Sequence, residues 1–147
     1  MDAKRFVMGT LVGGITLFVV GYLMFDLAFA NFYAANAGSA TGVMRDSQLV
    51  WAVAVGSLSY AALITLAIES RAGVATIGAG IQLGAVVGFL LWFTTDFILY
   101  GITNIANLTR TVVDPLLECV HGGIGGAVIA AVLGTVAASG RAKSRRM

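Results

Sequence analysis

Cysteine, proline and histidine are almost missing from this chain of 147 residues, each occurring once. The lone Cys119 excludes a disulfide within the chain and reads as a small buried hydrophobe. One proline, and no Pro-rich or acidic stretch, leaves nothing to act as a linker between domains. A single histidine excludes the dinuclear carboxylate centres of helical bundles, which take a Glu-x-x-His element from each of two helices. Charge is scarce as well, at 11% of residues against roughly 25% in a soluble domain, while 59% of the chain is hydrophobic. Too little polar sequence remains to clothe a water-facing surface. The net charge of +2 provides no basic face for nucleic acid, but it bears on orientation in a membrane.

The hydrophobic residues fall in four blocks of membrane-spanning length, at about 6–33, 49–68, 74–105 and 114–139. The fold class expected is all-α, an integral membrane four-helix bundle forming one transmembrane domain over 1–147. Lys4 and Arg5 before the first block, and Ala28-Phe29-Ala30 within it, imitate a secretory signal. The apolar core exceeds the roughly 7–15 residues of a signal segment, so it reads as a retained helix. Gly9 and Gly13 give that helix a small-xxx-small pair, and Tyr22, Asp26, Phe29 and Tyr33 share a face near its far end. A loop rich in Ala, Gly, Ser and Thr follows. The second block carries Ser57, Ser59 and Tyr60 at mid-depth, read as packing groups. After a turn around Gly73, the third block presents Gly80, Gly84 and Gly88 as a ridge without side chains. Farther on, Asp96, Tyr100, Thr103 and Asn107 form a polar stripe. Asn107-Leu108-Thr109 fits the glycosylation triplet, a match common by chance.

The fourth block organises the rest. Pro115 suits a first helical turn, so the helix is expected to start at Asp114 with that carboxylate near the N-cap. Asp114, Glu118 and His121 then lie within roughly 60° of one another on a single face. Each ionisable group at bilayer centre costs on the order of 2.5–3.5 kcal/mol, so this face should point into protein or protein-held water. Gly122, Gly126, Ala130 and Gly134 continue the block as a second small-residue ridge.

Alternating spans put Lys4, Arg5, Arg71, Arg141, Lys143, Arg145 and Arg146 on one side and leave Arg45 and Arg110 opposite. The positive-inside rule places both termini in the cytoplasm. Asp26, Asp96, Asp114 and Glu118 then all fall in the outer half. Ionised even at half the central penalty, four carboxylates would cost on the order of 5–7 kcal/mol, comparable with a small domain's net stability of about 5–15 kcal/mol. Protonation, hydrogen bonds, a bound cation or a water-filled vestibule must lower that cost.

The polar site expected in the outer half consists of Asp26, Asp96, Tyr100, Asn104, Glu118 and His121. A single divalent metal on Asp26, Asp96, Glu118 and His121 is one reading, because Glu-x-x-His side chains at i and i+3 converge on one ion. Proton or cation handling is another, since intramembrane carboxylates and histidine are the usual parts of relays. Nucleophile chemistry has little support: no serine sits in a recognisable elbow, and Cys119 points away from His121.

Several short motifs resemble those of a family of small bacterial inner-membrane proteins of unknown function, also read as four helices. Phe25-Asp26 and Phe32-Tyr33 resemble its Leu-Asp and Phe-Tyr steps. The run from Tyr100 to Leu108 looks like its Tyr-Asp-Leu-Thr-Asn-Leu-Ala-Thr-Leu, and Glu118-Cys119-Val120-His121-Gly122 is similar to its Asp-x-x-Trp-Gly. Gly101 stands where that family has Asp, and His121 where it has Trp; Asp96 can stand in for the acid from one turn earlier. The resemblance implies a four-helix fold in the bacterial inner membrane with a polar face, and carries no reaction.

The function expected is non-enzymatic: a small multi-pass protein that binds a small ligand or cation, or serves as an accessory subunit. A proton- or cation-coupled transporter and a metal-dependent membrane enzyme are the alternatives. The partners expected are the lipid bilayer and, through the glycine ridges, a second copy or a larger membrane complex, but not nucleic acid.

Overall fold

A computed structural model describes residues 2–71 and 76–144, with side chains to residue 135. It is all-helical, with no strand among the described residues. Helix α1 (Ala3–Gly21) runs into a π-helical segment, Tyr22–Ala28, and then into the short α2 (Ala30–Ala35). Three long helices follow: α3 (Val50–Glu69), α4 (Ile77–Ile102) and α5 (Leu108–Ser144). Four stretches are long and apolar enough to cross a membrane: Ala3–Ala28, Val50–Glu69, Ile77–Ile102 and Leu108–Thr135. The shortest, 20 residues, measures about 30 Å at the helical rise, the thickness of a bilayer's hydrocarbon.

Three of the long helices begin on a side-chain cap. Asp2 accepts from the Lys4 N–H at 2.9 Å, Thr76 from the Ala79 N–H at 3.2 Å, and Asn107 from the Arg110 N–H at 2.9 Å. The last of these overturns the expected start of the fourth helix. It begins at Leu108, Pro115 lies inside it, and Asp114 is not its cap. Asn107 provides the start signal, because its side chain satisfies an N–H of the first turn that Asp114 is too late in the chain to reach. The turn around Gly73, and Arg145 and Arg146 of the basic tail, lie outside the described residues.

Helix packing is uneven. α4 pairs most extensively with α5, and α1 with α3 and α5, whereas the α3–α4 seam is thin. The α4–α5 seam is a contact of backbone on backbone. A Cβ built on Gly84 would fall well inside the van der Waals radius of the Gly122 carbonyl oxygen, and one on Gly126 would do the same at the Gly80 carbonyl. Only hydrogen fits at these positions, as the ridge of Gly80, Gly84 and Gly88 implies. Gly13 plays this part in α1, where a Cβ would meet Ile129 Cγ1 at 2.5 Å and Ala61 Cβ at 3.2 Å.

The two ends of the bundle are tied differently. At one, Arg5 at the start of α1 donates through Nη2 to Glu69 Oε1 at the end of α3, at 2.7 Å. At the other, the two connecting loops lie side by side. Ala37 bridges Ala106, the Gly38 N–H donates to the Ile105 carbonyl, and the Asn107 N–H donates to the Asn36 carbonyl. Between them Leu17, Ala61, Ile64, Ile129, Ala130 and Leu133 form a fully buried apolar core.

The surface is apolar and the buried set is partly polar, the reverse of a water-soluble bundle. Ile15, Trp51, Ile98 and Ile102 are exposed, while Thr65, Thr111, Asp114, Glu118 and His121 are buried.

The close seam yields a test. Gly84→Ala should destabilise the protein by about 1–3 kcal/mol through overpacking against backbone that cannot yield. Gly78→Ala, where an added Cβ meets nothing within 4 Å, should leave stability unchanged or raise it by up to about 1 kcal/mol. Thermal unfolding of the two variants in detergent, followed by helical circular dichroism, distinguishes them.

Candidate functional site

His121 joins two helices. Its position one turn after Glu118 on α5 brings the Glu118 Oε2 within 2.8 Å of Nδ1, and Nε2 reaches across to the backbone carbonyl of Leu17 in α1 at 2.9 Å. A carbonyl can only accept, so Nε2 carries a proton and donates it. That assignment fixes the tautomer. One further proton is then shared between Nδ1 and Oε2, and the pair exists either as carboxylic acid with neutral imidazole or as carboxylate with imidazolium. Both forms are electrically neutral overall, which is how the two groups tolerate burial at 3% and 6% exposure.

Two aromatic rings pack against the imidazole. Phe25 and Tyr60 stand nearly perpendicular to it, with centroids at 5.4 and 5.7 Å. The Tyr60 hydroxyl lies near the Glu118 carboxyl, in a notch between Gly88 and Gly122 that any side chain at either position would fill.

A second carboxylate group lies one turn toward the paired loops. Tyr33 on α2 donates its hydroxyl to Asp114, and the Arg110 guanidinium stacks on the Tyr33 ring at 4.9 Å from its centroid. Burial, reinforced by the bond to Asp114, raises the Tyr33 phenol above its ordinary pKa, so it remains a protonated donor throughout the physiological range. Asp96 of α4 lies nearby, with Asp114, Arg110 and Glu118 as its charged neighbours, and its Oδ2 is buried without a hydrogen-bond partner.

Both groups line a cavity of ≈ 970 Å³ bounded by α1, the π-helical segment, α2, α3, part of α4 and α5. Its walls are mainly apolar, with Leu17, Phe18, Val53 and Leu63 among them, and Glu118, His121 and Asp114 mark its polar side.

Of the residues expected at a polar site, Glu118 and His121 are in direct contact, and Asp26 lines the same cavity. Asp26 nevertheless lies on the exposed side, where it accepts from Gln48 Nε2 at 2.8 Å. The i→i+5 bonding of the π-helical segment changes the angular step there, so a face drawn at α-helical spacing does not hold. Tyr100 is 43% exposed and outside the cavity, and Asn104 acts through its backbone carbonyl, which accepts from the Ala40 N–H. Among the described residues, no three of His, Cys, Asp and Glu converge as metal ligands, so Asp26, Asp96, Glu118 and His121 are not assembled around one point. Sequence reasoning missed Tyr33, Tyr60, Arg110 and the Leu17 carbonyl as parts of the site. Tyr33 was read only as part of an α-helical face that the π-helical segment breaks, and a backbone carbonyl leaves no trace in a sequence.

The pairing of Glu118 with His121 can be tested by a double-mutant cycle. Glu118→Leu and His121→Phe should each cost about 1–3 kcal/mol, because each leaves a buried polar group alone. The double variant should cost less than their sum by about 1 kcal/mol or more, read from unfolding in detergent. Strict additivity would show that the two side chains do not depend on each other.

No family model matches the chain, and comparison with curated proteins and with solved structures returns no match.

Proposed function

We propose that this chain is a multi-pass membrane protein with both termini in the cytoplasm, which binds a small amphiphilic ligand in the outer half of its bundle. The observation that carries the reading is the cavity of ≈ 970 Å³, which combines apolar walls with the buried Glu118–His121 pair and Asp114. Such a combination is the usual make-up of a small-molecule site, where apolar surface gives affinity and a few fixed polar groups give orientation.

Membrane insertion is supported by four apolar helices, exposed Ile and Trp side chains and an interior that holds Asp114 and Glu118. Orientation follows from charge. Arg5 and Glu69 tie together the end that carries most of the basic residues, and Arg45 and Arg110 belong to the other. The cavity therefore faces outward. Toward the cytoplasmic end, the apolar core of Ala61, Ile64, Ile129 and Leu133 lies below it, which favours a binding protein over a conduit.

Two measurements test the proposal. In a Cys119→Ala background, Ser39→Cys should react with an impermeant maleimide on intact cells, and Ser70→Cys only after the membrane is opened. Native mass spectrometry of protein released from its membrane should show a bound small molecule. That mass should be absent from Gly56→Trp, a variant whose added side chain enters the cavity where a Cβ meets nothing within 4 Å. Labelling in the opposite sense, or an unchanged mass, would defeat the respective half of the reading.

A further inference from the structure

Building on the ligand-binding reading above, the lining residues indicate what kind of molecule the cavity holds. We infer that the ligand is a hydrophobic organic cation, a protonated or quaternary onium centre on an apolar body, with its charge seated beside Glu118, Phe25 and Tyr60.

The charge of the lining selects the sign. Its ionisable groups are Asp26, Asp114 and Glu118 against Arg110 and His121. The Glu118–His121 pair is neutral in either of its one-proton forms, and Arg110 offsets one of the two remaining carboxylates. An excess of negative charge is left over. Asp96 of α4, a charged neighbour of Asp114, adds to it.

Aromatic rings select the kind of cation. Phe18, Tyr22, Phe25, Tyr60 and Trp92 line the cavity in addition to Tyr33. Ring faces attract an onium charge without needing a hydrogen bond from it, and the attraction is strongest where water is excluded. Arg110 on the Tyr33 ring is an example of this contact within the same cavity. A metal ion fits poorly, because no three ligating side chains converge among the described residues. An anion would have Arg110 as its only fixed cation, with Asp114 one turn along the same helix.

The proton shared by Glu118 and His121 links binding to pH. A cation seated at Glu118 favours the form in which the pair has released that proton to water, leaving carboxylate beside neutral imidazole. The titratable groups that interact with the pair are Tyr33 on α2, Tyr60 on α3, Asp96 on α4, and Asp114 and Cys119 on α5, while Tyr22, Asp26 and Arg110 line the same cavity. The cation therefore replaces the proton, and affinity increases with pH.

The test uses the full chain in detergent with two probes of matched shape and opposite charge, tetraphenylphosphonium and tetraphenylborate, in equilibrium dialysis. Tetraphenylphosphonium should bind saturably at one site, with affinity rising up to about tenfold per pH unit while the pair holds its shared proton. Tetraphenylborate should bind at least about tenfold more weakly. Glu118→Gln should lose most of the binding. Asp26→Asn, an exposed change that leaves the packing intact, should weaken it several-fold. Equal binding of both ions, lost from both in Gly56→Trp, would overturn the cation assignment and leave the ligand pocket standing. Binding of neither ion, or binding independent of pH and of Glu118, would also overturn the assignment, with the pocket itself decided separately by the native mass of the bound molecule.

Discussion

One buried imidazole hydrogen-bonds α5 to α1, and its two hydrogen bonds differ in kind. The bond from Nε2 to the Leu17 carbonyl is fixed, because a backbone oxygen has no proton to give. The bond between Nδ1 and Glu118 contains the one mobile proton, so the freedom of the pair is confined to its carboxyl side. This asymmetry keeps the pair neutral at a depth where an isolated charge would cost several kcal/mol. It also orients the carboxyl alongside the aromatic rings of the cavity.

The shape of α1 follows from the same contact. Gly21 faces the imidazole, with an added Cβ at 3.4 Å from both Cε1 and Nε2, and directly after it the helix widens into π geometry. A π segment often marks a functional position, since the wider turn frees carbonyls from regular bonding and redirects the chain. Here the change of course brings α2 over α5 and places the Tyr33 hydroxyl on Asp114. The loop after α2 then lies against the loop before α5, where Asn36 Oδ1 accepts from Asn107 Nδ2 at 3.1 Å. Asn107 thus both caps α5 and joins the two loops.

The helices were legible because hydropathy alone separates four apolar blocks. The glycine seam was legible because Gly80, Gly84 and Gly88, four residues apart, leave a stripe of bare backbone that a second helix must cover. Glu118 and His121 were legible as neighbours because i and i+3 on a helix must meet. What the sequence hid was local geometry that breaks helical regularity. Asp26 sits in a π-helical segment, so its face could not be extrapolated from α1, and Pro115 imitates a helix start that Asn107 has already made. Asp96, Tyr100, Thr103 and Asn107 share a stripe only on a continuous helix, and α4 ends at Ile102, so Thr103 and Asn107 leave it. The Leu17 carbonyl belongs to the backbone, which every residue has alike.

The cavity and the glycine seam have one cause. With hydrogen in place of side chains at Gly80, Gly84, Gly122 and Gly126, α4 approaches α5 to backbone contact. A helix drawn that close to one neighbour is drawn away from the other, and the α3–α4 seam is correspondingly thin. Tyr60 reaches across from α3 and closes the gap at one level, its hydroxyl in the notch of Gly88 and Gly122. Beyond it toward the paired loops, Ser57 and Gly56 of α3 are too small to reach α4, and the space between the helices becomes the wall of the cavity. The acids of α5 reach this volume from the flank of the seam, since Glu118 lies one turn, about 40°, from Gly122. The small residues that bring α4 onto α5 thus lie beside the face on which Glu118 and His121 are buried and line the cavity.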